Sequence, residues 1–253
     1  MTADKRLLKT RFAASLERYD AHAVVQDDIC GKLAEAIGRT CPRNAARCME
    51  IGAGTGFLTR RIGRLFPDAR WYINDLVEES ARYVAAYTEK NRTEYLWGDA
   101  ETLPYPDGLD LIASASAVQW FDDLDRFFRR AARALATDGL LAFSTFGPEN
   151  FGEIRAAAGE GLQYCDRERL ETMLLDAGLA VVETLEYTRT LHFDTPADVL
   201  RHIRSTGVNS IRQVRWTRRT LSDFEAAYRK NAGSADGSVP LTYHPILIAA
   251  RKR

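Results

Sequence analysis

The chain has 253 residues, 45% of them hydrophobic, with 35 Lys plus Arg set against 35 Asp plus Glu. This length suits one α/β domain with an insertion or two small domains, and the apolar share supplies a sizeable core. The balanced charge argues against a nucleic-acid binder, no run of about 18 apolar residues exists to span a membrane, and Asp4, Lys5 and Arg6 come too early for the apolar core of a signal peptide.

In chain order, Phe12, Leu16, Tyr19 and Ala23 fall at helical spacing and predict a helix from Phe12 to Gln26, followed by a second from Asp28 to Ile37. Strands then alternate with helices. Arg47 to Ile51 is a strand running into glycines, Leu58 to Phe66 a helix stopped by Pro67-Asp68, and Arg70 to Asn74 the second strand. Glu78 to Lys90 reads as a helix, Glu94 to Trp97 as the third strand, and Leu109 to Ala115 as a fourth, apolar enough to be buried on both faces. Asp123 to Leu135 is helical, Thr137-Asp138-Gly139 closes it, and Leu140 to Phe146 is the fifth strand. Five strands joined by helices imply parallel βαβ units with right-handed crossovers. Beyond them come a helix from Asp166 to Ala177 ended by Gly178, a long strand from Val181 to Phe193, a mostly helical stretch from Pro196 to Ala232, a loop from Gly233 to Ser238 and a last strand from Thr242 to Ala250. The cysteines Cys30, Cys41, Cys48 and Cys165 show no C-x-x-C spacing, so reduced thiols in a cytoplasmic protein are expected, and no cluster has metal-ligand spacing.

The chemistry concentrates at three strand ends. Glu50-Ile51-Gly52-Ala53-Gly54-Thr55-Gly56 lies between a strand and a helix, where Gly52 and Gly54 let backbone approach a ligand and Gly56 lets helix pack on strand. The spacing is G-x-G-x-G after an acid. It lacks the G-x-G-x-x-G of a pyrophosphate cradle and favours a ligand with a cationic amino-acid portion. Asp75, after the second strand, is placed to accept from two ribose hydroxyls. After the third strand, Asp99 is placed to accept from an exocyclic adenine amine, with the Ala100 amide donating to the ring.

From about Arg47 to Phe146 the chain resembles the class I methyltransferases. The resemblance implies S-adenosylmethionine as the methyl donor and a Rossmann-like fold: a seven-stranded, mostly parallel sheet with an antiparallel last strand. It also implies Glu50 at the donor's methionine end and Leu76 on its adenine. Further segments narrow the resemblance: Phe12-Ala13-Ala14-Ser15 with Tyr19, Ala117-Val118-Gln119-Trp120, Phe143 to Pro148, Ser205-Thr206-Gly207-Val208-Asn209, and Pro240-Leu241-Thr242-Tyr243-His244-Pro245. Together they are similar to the malonyl-acyl-carrier-protein O-methyltransferase family of biotin synthesis. That family methylates the free carboxylate of a malonyl thioester carried by an acidic acyl carrier protein on phosphopantetheine. Tyr19, Gln119 and Trp120 are then pocket-lining candidates.

The expected organisation is N-terminal helices covering the donor site (residues 1–40), a donor-binding core (41–195), a helical cap inserted between strands six and seven (196–237) and the last core strand (238–253). An antiparallel last strand begins at the carboxyl edge of the parallel strands, which brings Tyr243 and His244 beside the site. Between Leu200 and Arg219 stand Arg201, Arg204, Arg212, Arg215, Arg218 and Arg219 with no acid among them, a field suited to steering an acidic carrier. Arg204, nearest the Ser205-Thr206-Gly207 turn, is the arginine expected to hold the substrate carboxylate. Two other readings stay open: a methyltransferase for a small free acid or a quinone-like ring, and a donor-binding protein without turnover. Neither a nucleic acid nor a membrane is expected as partner.

Overall fold

A computed structural model describes residues 4–159, 161–206 and 217–253. The chain opens with α1 (Lys5–His22) and α2 (Val24–Thr40), then β1 (Arg47–Ile51), α3 (Thr59–Leu65) and β2 (Arg70–Asp75). Next come α4 (Ala81–Val84) flanked by two 3-10 turns, β3 (Thr93–Trp97), β4 (Leu109–Ser114), a 3-10 turn (Val118–Trp120), α5 (Leu124–Ala134) and β5 (Leu135–Phe146). Then α6 (Gly152–Ala158), α7 (Arg167–Asp176), β6 (Leu179–Glu186), β7 (Arg189–Phe193), α8 (Pro196–Ser205), α9 (Arg218–Ala232), β8 (Val239–Tyr243) and β9 (Pro245–Lys252) complete it.

Seven strands form one sheet in the order β3-β2-β1-β4-β5-β9-β6. Only β9 runs antiparallel, to both β5 and β6, so the expected Rossmann-like, mostly parallel sheet is present. Side chains alternate across it. Cys48, Leu111 and Ala113 join the α2 residues Ile29, Leu33 and Ile37 in the core on one face. Met49, Ile51 and Ile112 meet Phe127 and Phe128 of α5 and Leu170 and Leu174 of α7 on the other. With both faces covered, the central strands β4, β5 and β9 need the nearly continuous apolar runs they have. The strand order reverses between β1 and β4, which leaves a crevice at their carboxyl ends.

The structure departs from the sequence reading at five joints. The first helix starts at Lys5, where Asp4 accepts from the Arg6 and Leu7 amides, and it breaks at Ala23 instead of after Gln26. Ala23 is fully buried at φ −86° and ψ 43°, a bend imposed by packing with no Gly or Pro to announce it. The expected helix from Glu78 to Lys90 is reduced to α4 and its two flanking turns. In that stretch Ser80 and Val84 are the residues buried, too little core contact to hold a longer helix. Strand β5 begins at Leu135, so Thr137-Asp138-Gly139 lies within it as an irregularity, with Asp138 at φ +62°. A Cβ on Gly139 would come within 2.7 Å of the Leu109 carbonyl oxygen, which explains the glycine.

The two remaining departures are linked. The strand expected from Val181 to Phe193 divides after Glu186, and the one expected from Thr242 to Ala250 divides at His244. The Tyr187 amide makes one last bond to the Pro245 carbonyl (3.2 Å), and β9 offers no partner beyond Pro245. The chain therefore leaves the sheet, and β7 pairs with β8 in a separate two-stranded sheet, Arg189 opposite Tyr243 and Phe193 opposite Val239. The cap expected at residues 196–237 is thus framed by strands of its own from 189 to 243, and the last strand of the main sheet starts at Pro245 instead of residue 238.

Helix α9 is fastened to this small sheet through Tyr228, fully buried, whose hydroxyl donates to the Pro240 carbonyl at 2.7 Å. Tyr228→Phe keeps the ring and strands that carbonyl, so unfolding in urea should show a loss of about 1 kcal/mol.

Candidate active site

At the end of β1 the Gly52 and Ala53 amides both donate to the Asn74 carbonyl (2.9 and 3.1 Å), which folds the turn over the end of β2. Gly52 sits at φ +73°, and a Cβ there would lie 2.5 Å from the Ala117 Cβ, so only glycine fits. Gly54, at φ +55°, has nothing within 4 Å of where its Cβ would stand: it borders open space. Its amide donates to Asp75 Oδ2 at 2.7 Å, while Asp75 Oδ1 accepts from the Val77 amide at 2.7 Å. Asp75 is buried, and burial raises its carboxyl pKa against the pull of those amides. A carboxylate has about four acceptor sites, more than these two amides use. Asn74 Nδ2 donates to the Leu96 and Gly98 carbonyls and holds the end of β3 alongside. There Asp99 Oδ1 accepts from the Glu101 amide (3.0 Å) and from Lys5 Nζ (3.3 Å).

These strand ends border a cavity of about 850 Å³, counting the part open to solvent, a size suited to a nucleoside-bearing ligand. Its wall includes Gly52, Gly54, Asp75, Leu76, Asp99 and Ala100 of the expected donor set, and Tyr19 and Trp120 of the expected acceptor set. Helix α1 covers it with Leu8, Phe12, Ser15, Leu16 and Tyr19, and the Phe12 ring meets Trp120 edge-on at 5.8 Å. A donor with adenosine and a charged amino-acid end fits this wall: acceptors at the ends of β2 and β3, bare backbone at Gly54.

Six expected site residues lie outside the wall. Glu50 is buried at the end of β1, its Oε2 without a hydrogen-bond donor. Burial, with the Asp75 charge adding to it, pushes its carboxyl up to about 8. Gly56 (φ +86°) makes its close approach to Tyr87 and Val84, not to the strand: a Cβ would sit 2.9 Å from Tyr87 Cδ2. Gln119 turns back, its Nε2 donating to the Ser116 carbonyl at 2.6 Å. Arg204 is exposed on α8. Tyr243 is fully buried against Phe151, and its hydroxyl lies 2.8 Å from His202 Nε2, an imidazole that burial keeps neutral by lowering its pKa to about 4. His244 is a corner piece. Its Nδ1 accepts from the Glu149 amide (3.1 Å), which leaves the proton on Nε2, 3.0 Å from Glu186 Oε1. Arg212 and Arg215, with Gly207-Val208-Asn209, lie outside the described residues. Sequence reasoning missed Lys5 and Ser116, both in the wall. Neither carries a motif, and only the docking of α1 and the turn after β4 bring them there.

Sheet order, glycine turn and the acids at successive strand ends define a class I, Rossmann-like methyltransferase. A methyltransferase-domain family matches residues 49–143. Solved structures share the fold. The YcgJ protein from Bacillus subtilis superposes with a TM-score of 0.64 at 18% identity, covering 88% of this chain and 99% of that one. A phosphoethanolamine N-methyltransferase from Haemonchus contortus, solved with S-adenosyl-L-methionine, gives 0.55 at 18% identity over 88% of this chain and 52% of that one. Curated relatives are more similar in sequence. A malonyl-[acyl-carrier protein] O-methyltransferase from Porphyromonas gingivalis is 36% identical over 98% of this chain and 96% of its own length. One from Bacteroides thetaiotaomicron is 35% identical over 99% of both. One from Bacteroides fragilis is 40% identical over 99% of this chain, which spans 51% of that protein's length. The chain belongs to the malonyl-[acyl-carrier protein] O-methyltransferase family.

Two outcomes follow for the donor half of the site. Asp75→Ala removes an acceptor of charge-assisted bonds, so calorimetric titration with S-adenosylmethionine should show affinity reduced at least tenfold, about 1.4 kcal/mol. Glu50 has a folded value above the ordinary 4.5. The proton it retains stabilises the folded chain below about 4.5, and that contribution is lost as pH rises through about 8. Glu50→Gln cannot ionise, so in thermal melts without donor it should gain on the parent chain as pH goes from about 5 to about 8.

Proposed function

We propose that this chain transfers the methyl group of S-adenosylmethionine to the free carboxylate of a malonyl thioester on an acyl carrier protein, an early step of biotin synthesis. The observation that carries the reading is end-to-end similarity to relatives of that name, 36% identity over 98% of this chain and 96% of the relative. The cavity supports it chemically. A carboxylate is already ionised near neutral pH and needs no general base. Among the described wall residues there is no His, Cys or Glu to act as one, the carboxylates Asp75 and Asp99 are engaged by backbone amides, and burial raises the Tyr19 hydroxyl pKa far above neutrality. A carbon or phenol acceptor would need activation, so this wall favours the carboxylate over a quinone-like ring.

When bound, S-adenosylmethionine supplies an electrophilic methyl on a sulfonium. The chain's own contribution is placement and exclusion of water. Gly52 and Gly54 leave backbone bare at the end of β1, Asp75 and Asp99 offer acceptors for ribose and adenine, and Phe12, Tyr19 and Trp120 form an aromatic wall. Glu50, below the turn, is a buried carboxyl whose ionisation a cation nearby would favour.

Carrier docking is assigned to the cap. Arg201, Arg204, Arg218 and Arg219 are exposed there, and a field of one sign speeds encounter with an acidic partner. Arg201 is ion-paired with Asp198 but stays largely exposed, where such a pair is worth little. In this reading Arg204 meets the carrier and not the carboxylate, because it stands outside the cavity wall.

Incubating the chain with S-adenosylmethionine and malonyl-carrier protein should add one methyl group, seen by intact mass, and no turnover on that substrate would reject the reading. Reversing Arg204, Arg218 and Arg219 to Glu should slow methylation of the carrier at low salt roughly tenfold or more and flatten its salt dependence. A small malonyl thioester should be methylated at nearly the parent rate. Equal loss on both substrates would remove the docking role.

A further inference from the structure

Directly after β4 the backbone at Ser116 adopts φ +52°, a left-handed conformation that few residues other than glycine take up. Such strain persists only where surroundings over-determine it. Here the Ser116 amide donates to Ser144 Oγ of β5 (2.9 Å), and its carbonyl accepts from Gln119 Nε2 (2.6 Å). The neighbouring Ser114 Oγ donates to the Ile51 carbonyl (2.9 Å) and locks β4 to β1. Ala117 then lies against Gly52. The segment that continues β4 is pinned to β1 and β5, and Ser116 belongs to the cavity wall at the point where the strand order reverses.

The Ser116 hydroxyl is buried and has no hydrogen-bond partner. The Trp120 Nε1 atom, one turn further on in the same wall, is likewise buried and unpartnered, on a residue only 7% exposed. Both are donors, and the indole N–H can only donate. A buried donor without an acceptor costs free energy, so two such donors in one wall call for an acceptor-bearing ligand. The wall's charges lie elsewhere. Asp75 and Asp99 belong to the ends of β2 and β3, and Lys5, the sole cation among the described wall residues, is ion-paired with Asp99 and Glu101.

We propose that the Ser116 hydroxyl and the Trp120 indole N–H orient the acceptor carboxylate, both donating to one oxygen so that the other faces the methyl group. This rests on the carboxyl-transfer reading above. A lone pair of the free oxygen forms the new O–CH3 bond, and the electrons of the broken C–S bond stay on sulfur. Both donor protons remain where they are. Neutral donors suit this step better than a guanidinium, which would hold the anion tightly before reaction and blunt its nucleophilicity. They also set specificity, since an amine acceptor would bring N–H against N–H.

The test uses the full chain, malonyl-carrier protein and S-adenosylmethionine. Ser116→Ala and Trp120→Phe should each lose roughly 10- to 100-fold in kcat/KM, the scale of a hydrogen bond to a charged group, while the calorimetric donor Kd stays within about twofold. Ser116→Gly accepts φ +52° without strain. It should fall as far as Ser116→Ala, which separates loss of the hydroxyl from disturbance of the backbone. Donor affinity falling in step with activity would give the pair to the donor and overturn the proposal. Undiminished turnover in both variants of an active enzyme would overturn it alone. A parent chain inactive on malonyl-carrier protein would overturn the carboxyl-transfer reading, and this proposal with it.

Discussion

Asp75 accepts from the Gly54 amide with one oxygen and from the Val77 amide with the other, and so joins the turn after β1 to the turn after β2. Both bonds are short and lie in a buried setting, where a charge without partners would be expensive. Removing either amide would leave the carboxylate under-satisfied, and removing the carboxylate would release both turns. The Asn74 side chain extends the same arrangement to β3, and Ser114 extends it to β4. Four strand ends are thereby set at fixed spacing before any ligand arrives. A site that acts by positioning needs that kind of preorganisation.

Much of this was legible in residue order. Glycines after a strand, an acid about twenty residues later and a second acid after the third strand mark elements in the right sequence, and the sheet places them along one edge. Nearly continuous apolar runs located the central strands because burial on both faces leaves few polar choices at Leu111, Ile112 and Ala113. Breaks without local punctuation were not legible. Ala23 bends two helices with no glycine or proline, and the strand pair β7–β8 separates from the sheet only because β9 ends at Pro245. The strained turn at Ser116 was invisible for the same reason: a positive φ at serine is imposed by partners on other strands.

The fate of Tyr243 and His244 shows where topology alone overreaches. The start of the last strand does reach the carboxyl edge of the sheet, as the antiparallel pairing demands. Nearness to an edge is weaker than membership of a cavity wall. His244 spends both ring nitrogens on Glu149 and Glu186, and Tyr243 spends its hydroxyl on His202. Those side chains brace the corner where cap meets core. Polar chemistry in the cavity falls instead to small neutral groups, two carboxylates and Lys5, itself ion-paired with Asp99 and Glu101, while most of the cationic charge lies on exposed surfaces.

The bond from the Tyr187 amide to the Pro245 carbonyl puts the exit from β6 next to the entry to β9. Everything between them, β7 through β8, leaves and returns at nearly one point. To the main sheet this whole unit is one long excursion between adjacent strands. Doubling the length of such an excursion adds only about 0.6 kcal/mol of closure entropy. Closure therefore constrains its length little, and what ties it to the sheet is packing: Val199, Ile203, Phe224 and Tyr228 share one apolar core with Leu33, Leu111 and Ala113. The arginines on its outer face, Arg204, Arg218 and Arg219, are exposed and take no part in that core, so its charge can change where its packing cannot.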